Sequence, residues 1–302
     1  GASSREEDFV EHLFVANTHS YILFFTDKGK CYWVKVYDIP EGGRAAKGRA
    51  IVNLIGCEPD EKVSAFISVK EFNDDHYVVM ATEKGMVKKT KLSAYSNPRK
   101  KGIYAVEIRD GDKLIEARVS TGDNDILLGT RNGKSIRFSE EQIRASGRKT
   151  MGVKGITLSS EDDRLVGMLL IKREGTVLVA TEKGFGKRTE ISQYRAQKRG
   201  GKGVLTMKTT DKVGKMVTIK EVVDKDDLMI ITNQGVLIRL PVAQIRSIGR
   251  ATQGVKLIKL GEGTLVSSIT RIMSEEEEDE NNNTESTAVS YTHLTLPTMD
   301  HV

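Results

Sequence analysis

The chain is poor in the residues that most often carry chemistry. It has two cysteines, Cys31 and Cys57. That is too few for a disulfide framework or a thiolate-rich metal site, so both read as plain thiols of a reducing compartment. Its five histidines (His12, His19, His76, His293, His301) form no ligand-spaced cluster with the cysteines. No Gly-x-Ser-x-Gly or His-Glu-x-x-His occurs, which removes the commonest hydrolase signatures. Aromatic residues make up only 6%. Trp33 and the tyrosines fall in or beside apolar runs, where packing is their expected role. No apolar run is long enough to span a bilayer, and residues 1–8 are too polar to begin a secretory signal.

Charge, by contrast, is abundant and unevenly placed. All 47 lysines and arginines, but only 34 of the 42 acids, precede Ser274, so residues 1–273 carry +13 against +5 for the whole chain. The other acids are Glu275 to Glu278, Asp279, Glu280, Glu285 and Asp300. A basic body with an acidic tail implies a polyanionic partner and a segment able to compete with it. The run 274–283 is acidic and Asn-rich, which predicts disorder. Residues 284–302 change character again. Ser290 to Thr298 resembles translated adapter sequence more than a natural tail, so 284–302 is set aside as non-native or disordered.

An internal repeat organises the rest. Thr-x-x-Gly occurs at Thr26/Gly29, Thr82/Gly85, Thr130/Gly133, Thr181/Gly184 and Thr232/Gly235, with glycines 56, 48, 51 and 51 residues apart. A second glycine follows each: Gly48, Gly102, Gly152, Gly203 and Gly254. A short apolar run precedes each turn (Tyr21 to Phe25, Tyr77 to Met80, Ile126 to Leu128, Val177 to Val179, Leu228 to Ile231). An alternating strand follows the turn, then a basic loop, another strand after the second glycine (Ile103 to Ile108, Val204 to Met207) and a last alternating strand (Lys113 to Val119, Lys215 to Val222). Gly supplies the positive φ of a tight hairpin, and four strands per roughly 50 residues is the arithmetic of a propeller blade. Helical signal is confined to Ser139 to Arg144 and Val242 to Arg246. The strand His12 to Ala16, with no basic loop before it, reads as half a unit whose remainder lies upstream.

The basic loops come next. They are Gly43-Arg44-Ala45-Ala46-Lys47-Gly48-Arg49, Arg99-Lys100-Lys101-Gly102, Gly147-Arg148-Lys149-Thr150-Met151-Gly152, Gln197-Lys198-Arg199-Gly200-Gly201-Lys202-Gly203, and Gly249-Arg250-Ala251-Thr252-Gln253-Gly254. Three share Gly-Arg-x-x-x-Gly. A P-loop would require Lys-Ser/Thr after the second glycine and a helix beyond it. Arg49-Ala50, Val153-Lys154 and Val255-Lys256 stand there, and strands follow, so nucleotide binding is excluded. A second cationic row follows each turn: Lys88 and Lys89, Lys134 and Arg137, Lys187 and Arg188, Arg239, with Lys30 and Lys35 as a looser first member. Equivalent positions of a circular repeat return around one rim. Two basic features per blade therefore predict a positive belt that binds duplex DNA through phosphates.

The heptad Gln197 to Gly203, with Glu6-Glu7-Asp8-Phe9, Leu13 to His19, Ile51-Val52-Asn53-Leu54 and Gly184 to Thr189, resembles the C-terminal domain of the bacterial DNA gyrase A protein over about residues 6–273. The resemblance implies an all-β fold, a six-bladed β-pinwheel over residues 1–273 whose blades exchange hairpins, with the first blade incomplete here. It implies wrapping of DNA on the rim, as part of an ATP-hydrolysing type IIA topoisomerase that introduces negative supercoils. The implied partners are duplex DNA, the rest of gyrase A, and gyrase B in an A2B2 assembly in the bacterial cytoplasm. ATP and Mg2+ belong to the holoenzyme, so no cofactor, metal or catalytic residue is expected in this stretch. The family's best-formed heptad lies in the first blade, ahead of the Glu-Glu-Asp-Phe stretch; here it sits in the fourth complete unit, which suggests loss of the first by truncation. Besides the heptad, the candidate DNA-binding residues are Lys30, Lys35, Arg44, Lys47, Arg49, Lys88, Lys89, Arg99, Lys100, Lys101, Lys134, Arg137, Arg148, Lys149, Lys187, Arg188, Arg239 and Arg250. The alternatives are the C-terminal domain of topoisomerase IV, which resembles a degenerate version of the repeat, and a protein-docking propeller.

Overall fold

The computed structural model describes residues 18–39, 54–172 and 174–272. Its repeated local event is the Thr-x-x-Gly turn. In all five, the glycine amide donates to the threonine carbonyl at 2.9–3.0 Å, and the glycine adopts φ between 75° and 84°. In four of them the threonine hydroxyl accepts the amide just past the glycine, from Lys30, Met86, Lys134 and Val236 at 3.1–3.3 Å. The motif thus supplies both a left-handed backbone and a cap for the returning strand.

These turns join β1 (Tyr21–Thr26) to β2 (Lys30–Lys35), β4 (Tyr77–Thr82) to β5 (Met86–Lys91), β8 (Asp125–Thr130) to β9 (Lys134–Ser139), β12 (Thr176–Thr181) to β13 (Phe185–Glu190) and β16 (Asp227–Thr232) to β17 (Leu237–Pro241). On the other side of each first strand lies an inner strand: β3 (Val63–Val69), β7 (Leu114–Ser120), β11 (Leu165–Ile171), β15 (Met216–Val222) and β19 (Val266–Ile272). All these pairings are antiparallel. The outermost strands have two residues each: β6 (Ile103–Tyr104), β10 (Val153–Lys154), β14 (Val204–Leu205) and β18 (Val255–Lys256).

Those outermost strands come from the following unit. β6 pairs with β2, β10 with β5, β14 with β9 and β18 with β13. The exchange corrects the expected blade count: the described residues form five sheets, not six. Five turn units make five hairpins, and each outer strand is lent by the next unit. The first four sheets therefore have four strands, and the fifth, β17-β16-β19, has three. The expected half unit His12 to Ala16 and the stretch 51–53 lie outside the described residues. A 3-10 turn follows each hairpin (Val36–Asp38, Leu92–Tyr95, Glu140–Gln142, Ile191–Gln193, Val242–Gln244), although the sequence signalled only the third and fifth.

The cores lie between sheets, which explains why the first strand of each hairpin is an unbroken apolar run. Alternate residues face opposite neighbours. Val78 and Met80 pack with Leu23 and Phe25 of the preceding sheet, whereas Val79 packs with Ile126 and Phe138 of the next. Leu127 turns toward Val177 and Val179, and Leu178 toward Leu228 and Ile230. Each fully buried side chain of this size contributes about 1.5–3 kcal/mol, so the sheets hold one another. The inner strands touch in chain order around a central cavity of about 560 Å³.

Candidate nucleic-acid interface

The basic loops sit where one unit hands its strand to the sheet before it. The backbone at each handover is crowded. Val106 and Ala105 donate to the Gly29 carbonyl, and Thr206 and Met207 to that of Gly133. A Cβ on Gly29 would lie 2.4 Å from Val106 O, and one on Gly133 2.1 Å from Met207 O. Glycine there admits the exchanged segment as well as the turn.

Three arginines hold the handovers together. Arg148 donates to Tyr104 O at 3.0 Å, Arg199 to Lys154 O at 3.0 Å and Arg250 to Leu205 O at 2.6 Å. Each stands four residues before its loop's second glycine, and each reaches the second residue of the neighbouring outer strand. A chain of guanidinium-to-carbonyl bonds thereby links β6, β10 and β14 to the loops beside them. These are charge-assisted bonds to otherwise open edge carbonyls. The heptad's Arg199 therefore commits its guanidinium to the protein, also donating to Gln142 O at 3.0 Å.

The strand positions three residues after the turn glycine split into two kinds. Lys88 and Lys187 are 1% and 0% exposed. Lys88 Nζ donates to Ala105 O (2.7 Å) and Arg148 O (2.5 Å). Lys187 Nζ donates to Gly249 O (2.7 Å) and to the Arg250 carbonyl. Both pin a Gly-Arg-x-x-x-Gly loop. Burial, with Arg148 and Arg250 nearby, pushes each ammonium down to about 8. The equivalent under the heptad is Ile136, whose side chain packs 3.5 Å from where a Cβ on Gly201 would stand.

The next strand position is turned inward in three of its four members. Lys89, 7% exposed, sits over the Tyr77 ring at 4.9 Å and pairs with Glu140 at 3.5 Å. Arg137 pairs with Asp125 at 2.6 Å and donates to the Ile191 and Tyr194 carbonyls. Arg188, 8% exposed, donates to Ile245 O at 2.8 Å and pairs with Asp224. Arg239 is exposed but pairs with Asp227 at 2.5 Å. The second cationic row is therefore mostly a set of clamps between sheets and does not form an outer belt. Its repeat in register has a structural cause: each of these cations meets carboxylates or backbone carbonyls supplied at its place in the fold. Lys30 is half-buried against Glu61 at 2.7 Å, and hydrogen bonding to that carboxylate raises its pKa. Lys35 lies 5.5 Å from the Tyr37 ring. Lys134 is half-buried. Arg44, Lys47 and Arg49 lie outside the described residues.

Of the expected binding residues, the exposed ones without a carboxylate partner are on the loops. Arg99, Lys100, Lys101, Lys149, Lys198 and Lys202 are all exposed, and Lys149 lies over the exposed Tyr104 ring at 5.8 Å. The structure adds a row that sequence reasoning missed. Arg144, Arg195 and Arg246 are exposed at one equivalent place, two residues past the third, fourth and fifth 3-10 turns. The signal was available, since Gln-x-Arg recurs there every 51 residues as Gln142-Ile143-Arg144, Gln193-Tyr194-Arg195 and Gln244-Ile245-Arg246. Lys154 and Lys256 extend the exposed set on the outer strands.

The heptad loop is held by hydrogen bonds between its backbone and neighbouring segments. Gln197 N donates to Arg137 O at 2.7 Å, and Gly200 N to Gly155 O at 2.6 Å. Thr157 donates its amide to Gly201 O (2.9 Å) and its hydroxyl to Gly200 O (2.7 Å). Gly200 and Gly203 have φ of 81° and 69°, and a Cβ on Gly203 would lie 2.3 Å from Ser135 O. With the backbone closed this way, Lys198 and Lys202 form no hydrogen bond or ion pair among the described residues.

A strand-exchanged, propeller-like β domain whose outer sheet edges carry repeated exposed lysine and arginine is the class that this geometry defines. The family model described as the DNA gyrase C-terminal domain, beta-propeller, matches residues 20–70, 76–121, 124–172, 175–222 and 226–272, one match per sheet. The chain belongs to that family. It is 45% identical over 279 residues to the gyrase A protein of Staphylococcus epidermidis, covering 91% of this chain and 31% of that protein. It is 44% identical over 291 residues to the gyrase A protein of Staphylococcus aureus, covering 95% of this chain and 33% of that protein. The chain thus spans about a third of the length of the curated relatives it matches. Among solved structures, the C-terminal domain of DNA topoisomerase IV aligns with TM-score 0.79 and 25% identity, over 88% of this chain and 85% of that one. A DNA gyrase A C-terminal domain aligns with TM-score 0.74 and 23% identity, over 85% and 84%. No helix among the described residues is long and apolar enough to cross a membrane.

Proposed function

We propose that this chain binds duplex DNA along its outer sheet edges and curves the DNA around the domain. The observation that carries the reading is the recurrence of exposed, unclamped cations at equivalent loop positions. Arg144, Arg195 and Arg246 repeat, and Lys100, Lys101, Lys149, Lys198 and Lys202 accompany them. Contacts to phosphates release counterions and carry little sequence information, so one rim accepts any duplex. Bending 20–30 base pairs costs on the order of 1–6 kcal/mol, which many such contacts offset.

In the whole protein this region serves as the DNA-wrapping part of gyrase A. It joins the rest of gyrase A and gyrase B in an A2B2 assembly of the bacterial cytoplasm. ATP hydrolysis with Mg2+, and DNA strand cleavage, belong to parts of that assembly outside this chain. The wrap presents a neighbouring duplex segment with one crossing sign, and strand passage then yields negative supercoils. Identity of 44–45% to gyrase A proteins and the intact heptad at Gln197 to Gly203 support gyrase over topoisomerase IV.

The test is relaxation of a closed circle by a nicking-closing topoisomerase in the presence of the protein. A shift of the topoisomer distribution that grows with protein and vanishes at high salt is expected. An unshifted distribution under conditions where the duplex is bound would sink the wrapping role.

A further inference from the structure

The central cavity carries its own charge imbalance, separate from the outer edges. Arg118 of β7, Lys172 just after β11, Lys220 of β15 and Arg271 of β19 line it, with Glu116 and Glu221 as the only carboxylates in its lining among the described residues. Three of the cations are already engaged. Arg118 donates to Met168 O at 3.2 Å and lies 3.4 Å from Glu116. Lys172 Nζ donates to Val119 O at 3.0 Å, and Arg271 to Glu221 O at 3.1 Å. Lys220 has no hydrogen bond or ion pair among the described residues. Its ammonium faces the like charges of Arg118 and Arg271, offset only by Glu116. Lys220 is half-buried, and a partly desolvated cation without an acceptor is stabilised by an anion that completes its surroundings.

We propose that this cavity is a binding site for a small multivalent phosphate anion of about pyrophosphate size, with Lys220 as its central ligand and Arg118, Lys172 and Arg271 around it. The volume of about 560 Å³ accommodates such an anion with water and is far too small for a duplex. The four cations come from four successive sheets, so one bound anion bridges the inner strands β7, β11, β15 and β19. Burial and the two arginines already lower the Lys220 pKa to about 8; an anion opposes that shift and keeps the ammonium charged at neutral pH. The site owes nothing to the outer loops and stands whether or not those loops bind DNA.

Titration calorimetry with inorganic pyrophosphate at constant ionic strength tests this. One saturable site per chain is expected, together with a rise in melting temperature. Lys220→Met should weaken binding about tenfold or more, and Lys220→Arg should retain it. Lys198→Ala with Lys202→Ala should leave it within about twofold, because those lysines lie on the outer loops. If Lys220→Met does not fold, Arg271→Gln replaces it and should also weaken the site severalfold. Absence of a saturable site, equal affinity in wild type and the cavity variant, or loss of binding in the outer-loop variant overturns the proposal.

Discussion

The loops at 147–152 and 249–254 occupy the same place in the fold as the heptad loop at 197–203, yet they are closed by different means. In the first two, a lysine from the strand beneath reaches up to the loop carbonyls. Lys88 serves one and Lys187 the other. A threonine hydroxyl then closes the loop, Thr150 onto Gly147 O and Thr252 onto Gly249 O, both at 3.0 Å. In the heptad the strand beneath offers Ile136, and Thr157 of the neighbouring loop takes the carbonyls of Gly200 and Gly201. One design satisfies backbone acceptors with a buried charge; the other does so with glycine conformation and a neutral donor. Counting cations therefore misjudges a binding surface. What matters is whether a cation already has carbonyls or carboxylates to serve, and Lys198 and Lys202 have none among the described residues.

Breaking the heptad's backbone should have the largest effect. Gly203→Ala combines a positive φ with a Cβ 2.3 Å from Ser135 O, and should destabilise the domain by about 3 kcal/mol in urea unfolding. Removing a lysine pin comes next. Lys187→Met leaves the Arg250 carbonyl without its lysine donor and the Gly249 carbonyl with the Thr252 hydroxyl alone, and should cost about 1–3 kcal/mol. Its effect should concentrate on the loop 249–254, visible as faster amide exchange there.

The pins also leave a pH signature. Folding lowers the Lys88 and Lys187 pKa from 10.5 to about 8, chiefly through burial. Between those values the unfolded chain holds protons that the folded lysines have released, so their contribution to stability rises with pH across that window. Subtracting the stability curve of Lys88→Met with Lys187→Met from that of the wild type should reveal this rise between about pH 8 and 10.5. A flat difference would mean that the two ammoniums are not held down. The smallest effect belongs to the free heptad lysines: Lys198→Ala with Lys202→Ala should change stability by no more than about 0.5 kcal/mol.

The hairpins were legible in the sequence because Thr-x-x-Gly and the apolar run before it are both local signals, each needing only its own few residues. The inner strands were legible for the same reason, since Lys113 to Val119 and Lys215 to Val222 alternate along their length. The outer strands were not. Ile103 to Ile108 reads as one long strand, but only Ile103 and Tyr104 pair; Ala105 and Val106 instead hang from the Gly29 carbonyl. Nothing local says that the partner is one unit earlier. The same blindness affected the cations. Lys88, Lys89, Lys187 and Arg188 repeat in register because repeated carbonyls and carboxylates need them, a cause that appears only when adjacent units are placed side by side. Arg144, Arg195 and Arg246 went unremarked because they follow short 3-10 turns, which have no strong pattern of their own.

On the proposed function, the cations fall into clamps that hold the fold and free charges available to DNA phosphates. The most direct test is the salt dependence of duplex binding for two variants. Lys198→Ala with Lys202→Ala should lower the slope of log affinity against log salt by about 2, roughly one per lost phosphate contact, with the melting temperature unchanged. Lys88→Met with Lys187→Met should lower the melting temperature and leave the slope as it was. The reverse pattern, a slope carried by Lys88 and Lys187 and untouched by loss of Lys198 and Lys202, would contradict the division.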